Sequence, residues 1–278
     1  MARRRVGGCV FCGQTGVPLS KEDVIPKWVR SVLKFTGPVK VTKNRTGEVI
    51  RTDETIVLTV RGAVCRACNN EWLSGLENRV KPLISDAIQG RITAFSAGDM
   101  QTIPAVWAVK TALLIELALK EARGDGFAPA SHFRWLFDHR DDPCPPPGSQ
   151  VWIAGLDMGG SLVSWNFAGG VFTDELEPPD AYLAHFSVGC LVFTVFGQDF
   201  GLLAGTGRQL MRCTPPPRFR YHLLGIWPNF HPVRAWPGAH QFKRSDLTDF
   251  CDWRDARFET PTPRRVLSAH PVAIVRFD

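Results

Sequence analysis

The chain has 278 residues, 44% of them hydrophobic and 22% charged, with a formal net charge of +6. That composition excludes a wholly disordered chain and allows one large domain or two modest ones with a real core. The basic start, Met1-Ala2-Arg3-Arg4-Arg5, runs into Cys9 and Gly13 and not into an apolar stretch, so no signal peptide is expected.

The elements follow in chain order. Cys9-Val10-Phe11-Cys12-Gly13 has the two-residue gap of a metal knuckle, with a glycine for the tight turn. Pro26 suits the first turn of a short helix to about Leu33, with Trp28, Val29, Val32 and Leu33 as its apolar positions. Residues 38–60 are rich in Val, Ile and Thr. Asn44-Arg45-Thr46-Gly47 supplies turn chemistry between Val39–Lys43 and Glu48–Arg51, and Ile56–Val60 follows, which predicts a hairpin or small meander. Cys65-Arg66-Ala67-Cys68 then opens a helix continuing from Asn69 to about Leu83, with Trp72, Leu73, Leu76 and Val80 on one face.

A longer second half begins at residue 92. Ala105–Ala122 is a helix apolar on most sides and so central; Lys110, Glu116 and Lys120 interrupt it and argue against a membrane span. A short helix is expected about Ser131–Phe137. Gln150–Leu156, Leu162–Phe167, Ala181–Val188, Leu191–Phe196 and Gly201–Ala204 read as short strands, with Arg218–Ile226 and Val272–Phe277 as further candidates. Ser245 is placed to cap a last helix ending near Phe258. The expected fold class is α+β: an N-terminal zinc treble-clef module of the ββα-metal kind over residues 1–91, and an antiparallel sheet with helices over 92–278.

Charge divides along the same line. Residues 1–91 hold 16 Lys and Arg against 8 Asp and Glu, whereas 92–278 hold 17 against 19. The basic excess thus sits on the cysteine module, where it favours a polyanion, chiefly nucleic acid. Cys9, Cys12, Cys65 and Cys68 form two C-x-x-C pairs around a hairpin-sized insert, the spacing of a closed, structural Zn2+ site. Cys144, Cys190, Cys213 and Cys251 share no spacing and read as ordinary thiols. Free thiols and a metal knuckle fit a reducing, cytoplasmic location.

Three motifs, Cys9-x-x-Cys12, Leu19-Ser-Lys-Glu-Asp-Val-Ile-Pro-Lys-Trp28 and Cys65-x-x-Cys68-Asn69-Asn70-Glu-Trp72, resemble the zinc-containing HNH, or ββα-metal, endonucleases. The motifs cover residues 9–77. The resemblance implies a phosphodiester hydrolase acting on nucleic acid, by family DNA, with catalytic Mg2+ or Mn2+. It places Glu22 as the acidic ligand of that ion and Asn69 as the amide ligand, both hard oxygen donors. The family's general-base histidine falls on Asp23, and this departure leaves three readings open. Asp23 is a weak base, with a reference pKa near ~3.9 against ~6.5 for imidazole; or it is a second metal carboxylate; or the site does not cut. The rival function is a non-catalytic zinc module binding nucleic acid or protein.

Residues 1–131 contain no histidine to replace Asp23. Asp138-His139 repeats the acid–histidine pair without a knuckle and reads as a helix end. His185 reads as a satisfied sheet residue, and Glu77, eight residues beyond Asn69, as a surface or salt-bridge residue.

Overall fold

The computed structural model describes residues 6–34, 39–42, 49–53, 59–91, 93–95, 98–123, 129–157, 163–171, 181–200, 210–228, 234–236, 240–243, 246, 257–259 and 274–277. The chain opens with strand β1 (Val6–Gly7), the knuckle, strand β2 (Val17–Asp23) and helix α1 (Lys27–Leu33). Pro26 caps α1 in extended conformation, and Lys34 ends it at φ 53°. Strands β3 (Val39–Thr42), β4 (Val49–Asp53) and β5 (Thr59–Cys65) follow. β5 runs directly into a helical rod made of α2 (Arg66–Cys68), a π turn (Asn69–Leu73) and α3 (Ser74–Ile88).

The second half contributes β6 (Thr93–Phe95), the long helix α4 (Asp99–Arg123) and α5 (Ala130–Asp138). Strands β7 (Gln150–Asp157), β8 (Val163–Val171), β9 (Ala181–Val188) and β10 (Leu191–Gln198) come next, then β11 (Arg212–Thr214) and a 3-10 turn (Pro217–Phe219). The described chain closes with β12 (Leu224–Trp227), β13 (Arg234–Trp236), β14 (Phe242–Lys243), β15 (Arg257–Glu259) and β16 (Ile274–Phe277).

The large sheet has the order β12-β7-β10-β9-β8-β16-β3-β4, with β14 also on β7. Its pairings are antiparallel except β14 on β7. Helices with an antiparallel sheet are the α+β layout expected. The hairpin β3–β4 forms, but β3 pairs through its other edge with β16, so it extends the large sheet. Of the expected third run, Ile56–Val60, the described residues Thr59 and Val60 belong to β5, which pairs with β2 instead. Two sequence expectations fall largely outside the described residues, the strand Gly201–Ala204 and most of the helix from Ser245. Where that helix was to end, Phe258 is instead in strand β15, opposite Cys213 of β11.

Every residue of β9 and β10 is buried, which period-2 side chains require when both faces are covered. Tyr182, Ala184, Phe186, Phe193 and Val195 face the main core. Leu183, Val192 and Phe196 face a second, smaller one with Met211, Phe219 and Phe242. Helix α4 lies in the main core. Residues 103–116 are buried throughout, and Trp107 packs edge-on to Phe186 and Phe193 at 6.0 and 5.5 Å. The same cluster takes in Cys9, Phe11, Cys65 and Cys68, so both sides of residue 91 share one core. No helix among the described residues is long and apolar enough to cross a membrane.

Candidate functional site

The knuckle between β1 and β2 is shaped by its backbone. Gly13 N–H donates to the Cys9 carbonyl at 2.9 Å, and Gly13 takes φ 73°, the left-handed region that glycine enters freely. Val10 N–H donates to the Ala63 carbonyl at 2.9 Å, tying the knuckle to β5. Phe11, fully buried, packs edge-on against Trp72 and Phe133, each at 5.1 Å. Arg134 of α5 donates to the Cys12 carbonyl at 3.0 Å, so the second half holds the knuckle from outside.

Cys65 ends β5 and Cys68 sits one helical turn later, which brings both thiols to the knuckle's pair. The four ligand atoms lie within 4.8 Å of one another, close enough to hold a metal ion. Cys12 Sγ and Cys65 Sγ are 3.8 Å apart. A tetrahedral site with Zn–S bonds of about 2.3 Å has edges of about 3.8 Å. Backbone N–H groups point at the sulfurs: Cys65 N to Cys9 Sγ at 3.3 Å and Cys68 N to Cys65 Sγ at 3.4 Å. Burial pushes the Cys12 and Cys68 thiols up. Burial acts on Cys9 too, but N–H groups of Cys65, Cys12 and Phe11 outweigh it and bring that thiol below its ordinary value. This donor set, soft, nearly dry and supported by N–H···S bonds, fits a thiolate-bound cation.

The other residues expected from sequence lie on β2 and at the start of the helical rod. Strand β2 carries Glu22 and Asp23 at its end and pairs antiparallel with β5, with a bulge between Ser20 and Lys21. Asn69 opens the π turn immediately after Cys68. Its Nδ2 donates to Ser20 Oγ at 3.0 Å and to the Lys21 carbonyl at 3.3 Å. That leaves Oδ1, the hard donor atom, without a hydrogen bond from the described residues. Asp23 is half-buried and makes no ion pair among the described residues. A π turn widens the helix locally and recurs at functional positions.

Glu22 behaves differently from its neighbour. Period-2 alternation turns it inward, where it is 3% exposed. Lys110 Nζ, fully buried in α4, lies 3.4 Å from Glu22 Oε1 and 3.0 Å from Glu77 Oε1. Burial works against the Lys110 ammonium, yet the carboxylates of Glu77 and Glu22 outweigh it and hold its pKa above the ordinary value. Burial raises Glu22, with Lys110 opposing and Glu77 and Asp23 adding to the rise. The outcome is one cation shared by two acids, the condition under which a buried charge persists. Glu77 is the salt-bridge residue expected.

Lys110 was not among the site residues expected from sequence. Its signal was a charge in the most apolar part of a helix, which needs a partner once buried. His185 is a sheet residue, as expected, with Nδ1 3.0 Å from Thr194 Oγ1. Asp138 and His139 form a helix end, Asp138 paired with Arg134 at 2.8 Å and His139 stacked on Trp135 at 3.8 Å. Comparison of the chain with models of known families, with curated proteins and with solved structures finds no match.

Proposed function

We propose that the chain is an HNH-type protein. Its N-terminal module would be a treble-clef zinc centre of the ββα-metal kind, and its Glu22-Asp23 and Asn69 would form a divalent-cation site acting on phosphodiester bonds of nucleic acid, DNA by resemblance. One observation carries this reading. Asn69, 48 residues from Lys21, reaches across to donate to the Lys21 carbonyl, one residue before the acid pair. That bond ties Asn69, the residue after Cys68, to the strand that carries Glu22 and Asp23.

In this reading zinc, held by Cys9, Cys12, Cys65 and Cys68, is structural, because four thiolates fill its coordination. Asp23 and Asn69 offer oxygen ligands that suit magnesium or manganese. Such an ion supplies charge stabilisation to the phosphate. Asp23 stands where the resemblance calls for a base, and its low intrinsic basicity limits proton removal from water.

The ion pair between Lys110 and Glu22 favours a second reading, a zinc module that binds nucleic acid without cutting it. Here Lys110 would hold the carboxylate that the metal needs. A nuclease assay in magnesium or manganese on DNA and RNA, single- and double-stranded, separates the two. The native chain is expected to cut slowly, Asp23→His to cut at least about tenfold faster, and Asn69→Ala to lose the activity. Binding without cleavage by every form, Asp23→His included, would establish the second reading; neither binding nor cleavage would overturn both.

A further inference from the structure

We propose that the segment 210–228, on the side of the second half that carries β11 and β12, forms a separate binding site for single-stranded nucleic acid. Arg212 and Arg220 would meet phosphates there, and Trp227 a base.

The charge pattern of the segment is the first observation. Residues 200–245 contain seven Lys and Arg and not one Asp or Glu. The rest of 92–278 holds 10 basic residues against 19 acidic ones. An acid-free run of sequence inside an acidic half favours a polyanion, and one acid, Glu259, stands opposite Arg212 in the β11–β15 ladder.

Geometry is the second. Arg212 and Arg220 border one cavity of about 190 Å³ with Trp152 and Trp227. Both arginines are exposed. Among the described residues neither makes an ion pair or a side-chain hydrogen bond, whereas Arg218 beside them covers the Phe219 ring at 4.8 Å. The cavity is smaller than the roughly 300–1,000 Å³ of drug-sized ligand sites. It suits one flat base or one phosphodiester link. The large hydrophobic side chains most exposed among the described residues, Tyr221 at 79% and Leu210 at 47%, lie on this same segment.

The site is also held rigid. Gln150 of β7 clamps β11 from both sides, donating to the Cys213 carbonyl at 3.1 Å and accepting from Cys213 N at 2.6 Å. Phe219 is buried beneath the 3-10 turn, edge-on to Phe242 at 5.8 Å. Groups fixed in advance lose little freedom on binding. Unpaired guanidinium groups beside aromatic faces match a strand with phosphates and unstacked bases, and in a duplex those base faces are hidden. An acidic peptide would use the arginines and leave the tryptophan face idle. The site is remote in sequence from Glu22 and Asn69 and does not depend on cleavage.

The test is fluorescence anisotropy of a labelled oligo-dT of about 12 nucleotides with the full-length, zinc-loaded protein and no added magnesium, over a series of salt concentrations. Arg212→Glu with Arg220→Glu is expected to weaken binding at least about tenfold. It should also flatten the log–log salt slope by about 1.4, two phosphates at about 0.7 each. Trp227→Ala should weaken binding about tenfold with the slope unchanged, and Trp227→Phe should restore most of it. Arg140→Glu, a single charge reversal at an exposed arginine just beyond α5, should leave binding as it was, which ties the loss to this segment. Unchanged affinity and slope in the double arginine variant would overturn the proposal. So would equal binding of a labelled poly-glutamate peptide, or a loss of duplex DNA binding in these variants as large as the loss for oligo-dT.

Discussion

Glu22 and Asp23 are adjacent, yet the strand sends them to different fates. Asp23 stays half-buried, while Glu22 is turned into the core and held by Lys110. The motifs of the sequence single out Glu22, Asp23 and Asn69. They do not make Lys110 legible as a companion, because its partners lie far along the chain and only folding reveals the distance. The ion pair carries a firm expectation. Lys110→Met leaves two buried or half-buried carboxylates without their cation and should destabilise the protein by about 3–5 kcal/mol. Combining it with Glu22→Gln and Glu77→Gln should recover much of that loss. Urea unfolding midpoints of the native, single and triple forms measure both effects.

At the level of elements, local patterns were readable and long-range partnerships were not. Ala181–Val188 was a strand in sequence and is β9 in the structure, because a short run carrying Tyr, Leu, Phe and Val favours a sheet. The hairpin β3–β4 was likewise signalled by its turn residues. That β5 would pair with β2, and β3 with β16, has no local signature, since any strand edge offers the same backbone donors. One turn does show how elements lock. Between β9 and β10, Gly189 takes φ 57°, and a Cβ there would fall 2.2 Å from the Ile88 carbonyl oxygen at the end of α3. Cys190 N donates to that same oxygen at 2.8 Å. Gly189→Ala would push the sheet hairpin off the rod that carries Cys68 and Asn69. A loss of about 2 kcal/mol or more is expected by thermal or urea unfolding.

Across the whole molecule, helix α4 joins the cysteine module and the sheet into one core. The sequence marked α4 as central from its apolar periodicity. Summing charge over the second half, however, hid the acid-free stretch 200–245 within a near-neutral total. The core also fixes how stability responds to pH. His132 bridges α5 to the sheet. Its Nε2–H donates to the Gln198 carbonyl, and its Nδ1 accepts from Tyr182 Oη at 3.2 Å. Burial lowers His132 to about 4, against the pull of the Gln198 carbonyl and Asp199, and lowers His185 to about 3. Both pKa values lie below the unfolded value of ~6.5, so the unfolded chain binds more protons. Stability is therefore full above pH ~6.5 and falls as pH drops toward the folded values, by about 1.4 kcal/mol per pH unit for each histidine. Urea midpoints measured between about pH 7.5 and 5.5 should show this slope, and His132→Gln with His185→Gln should flatten it.

All of this geometry, from the knuckle that seats Phe11 to the turn that brings Asn69 against β2, is organised around four thiols. Zinc content per chain, measured by inductively coupled plasma mass spectrometry on protein purified without chelator, tests that centre most directly. The account predicts one zinc per chain, absent from Cys65→Ser with Cys68→Ser. A native protein that is folded and carries no zinc would contradict it.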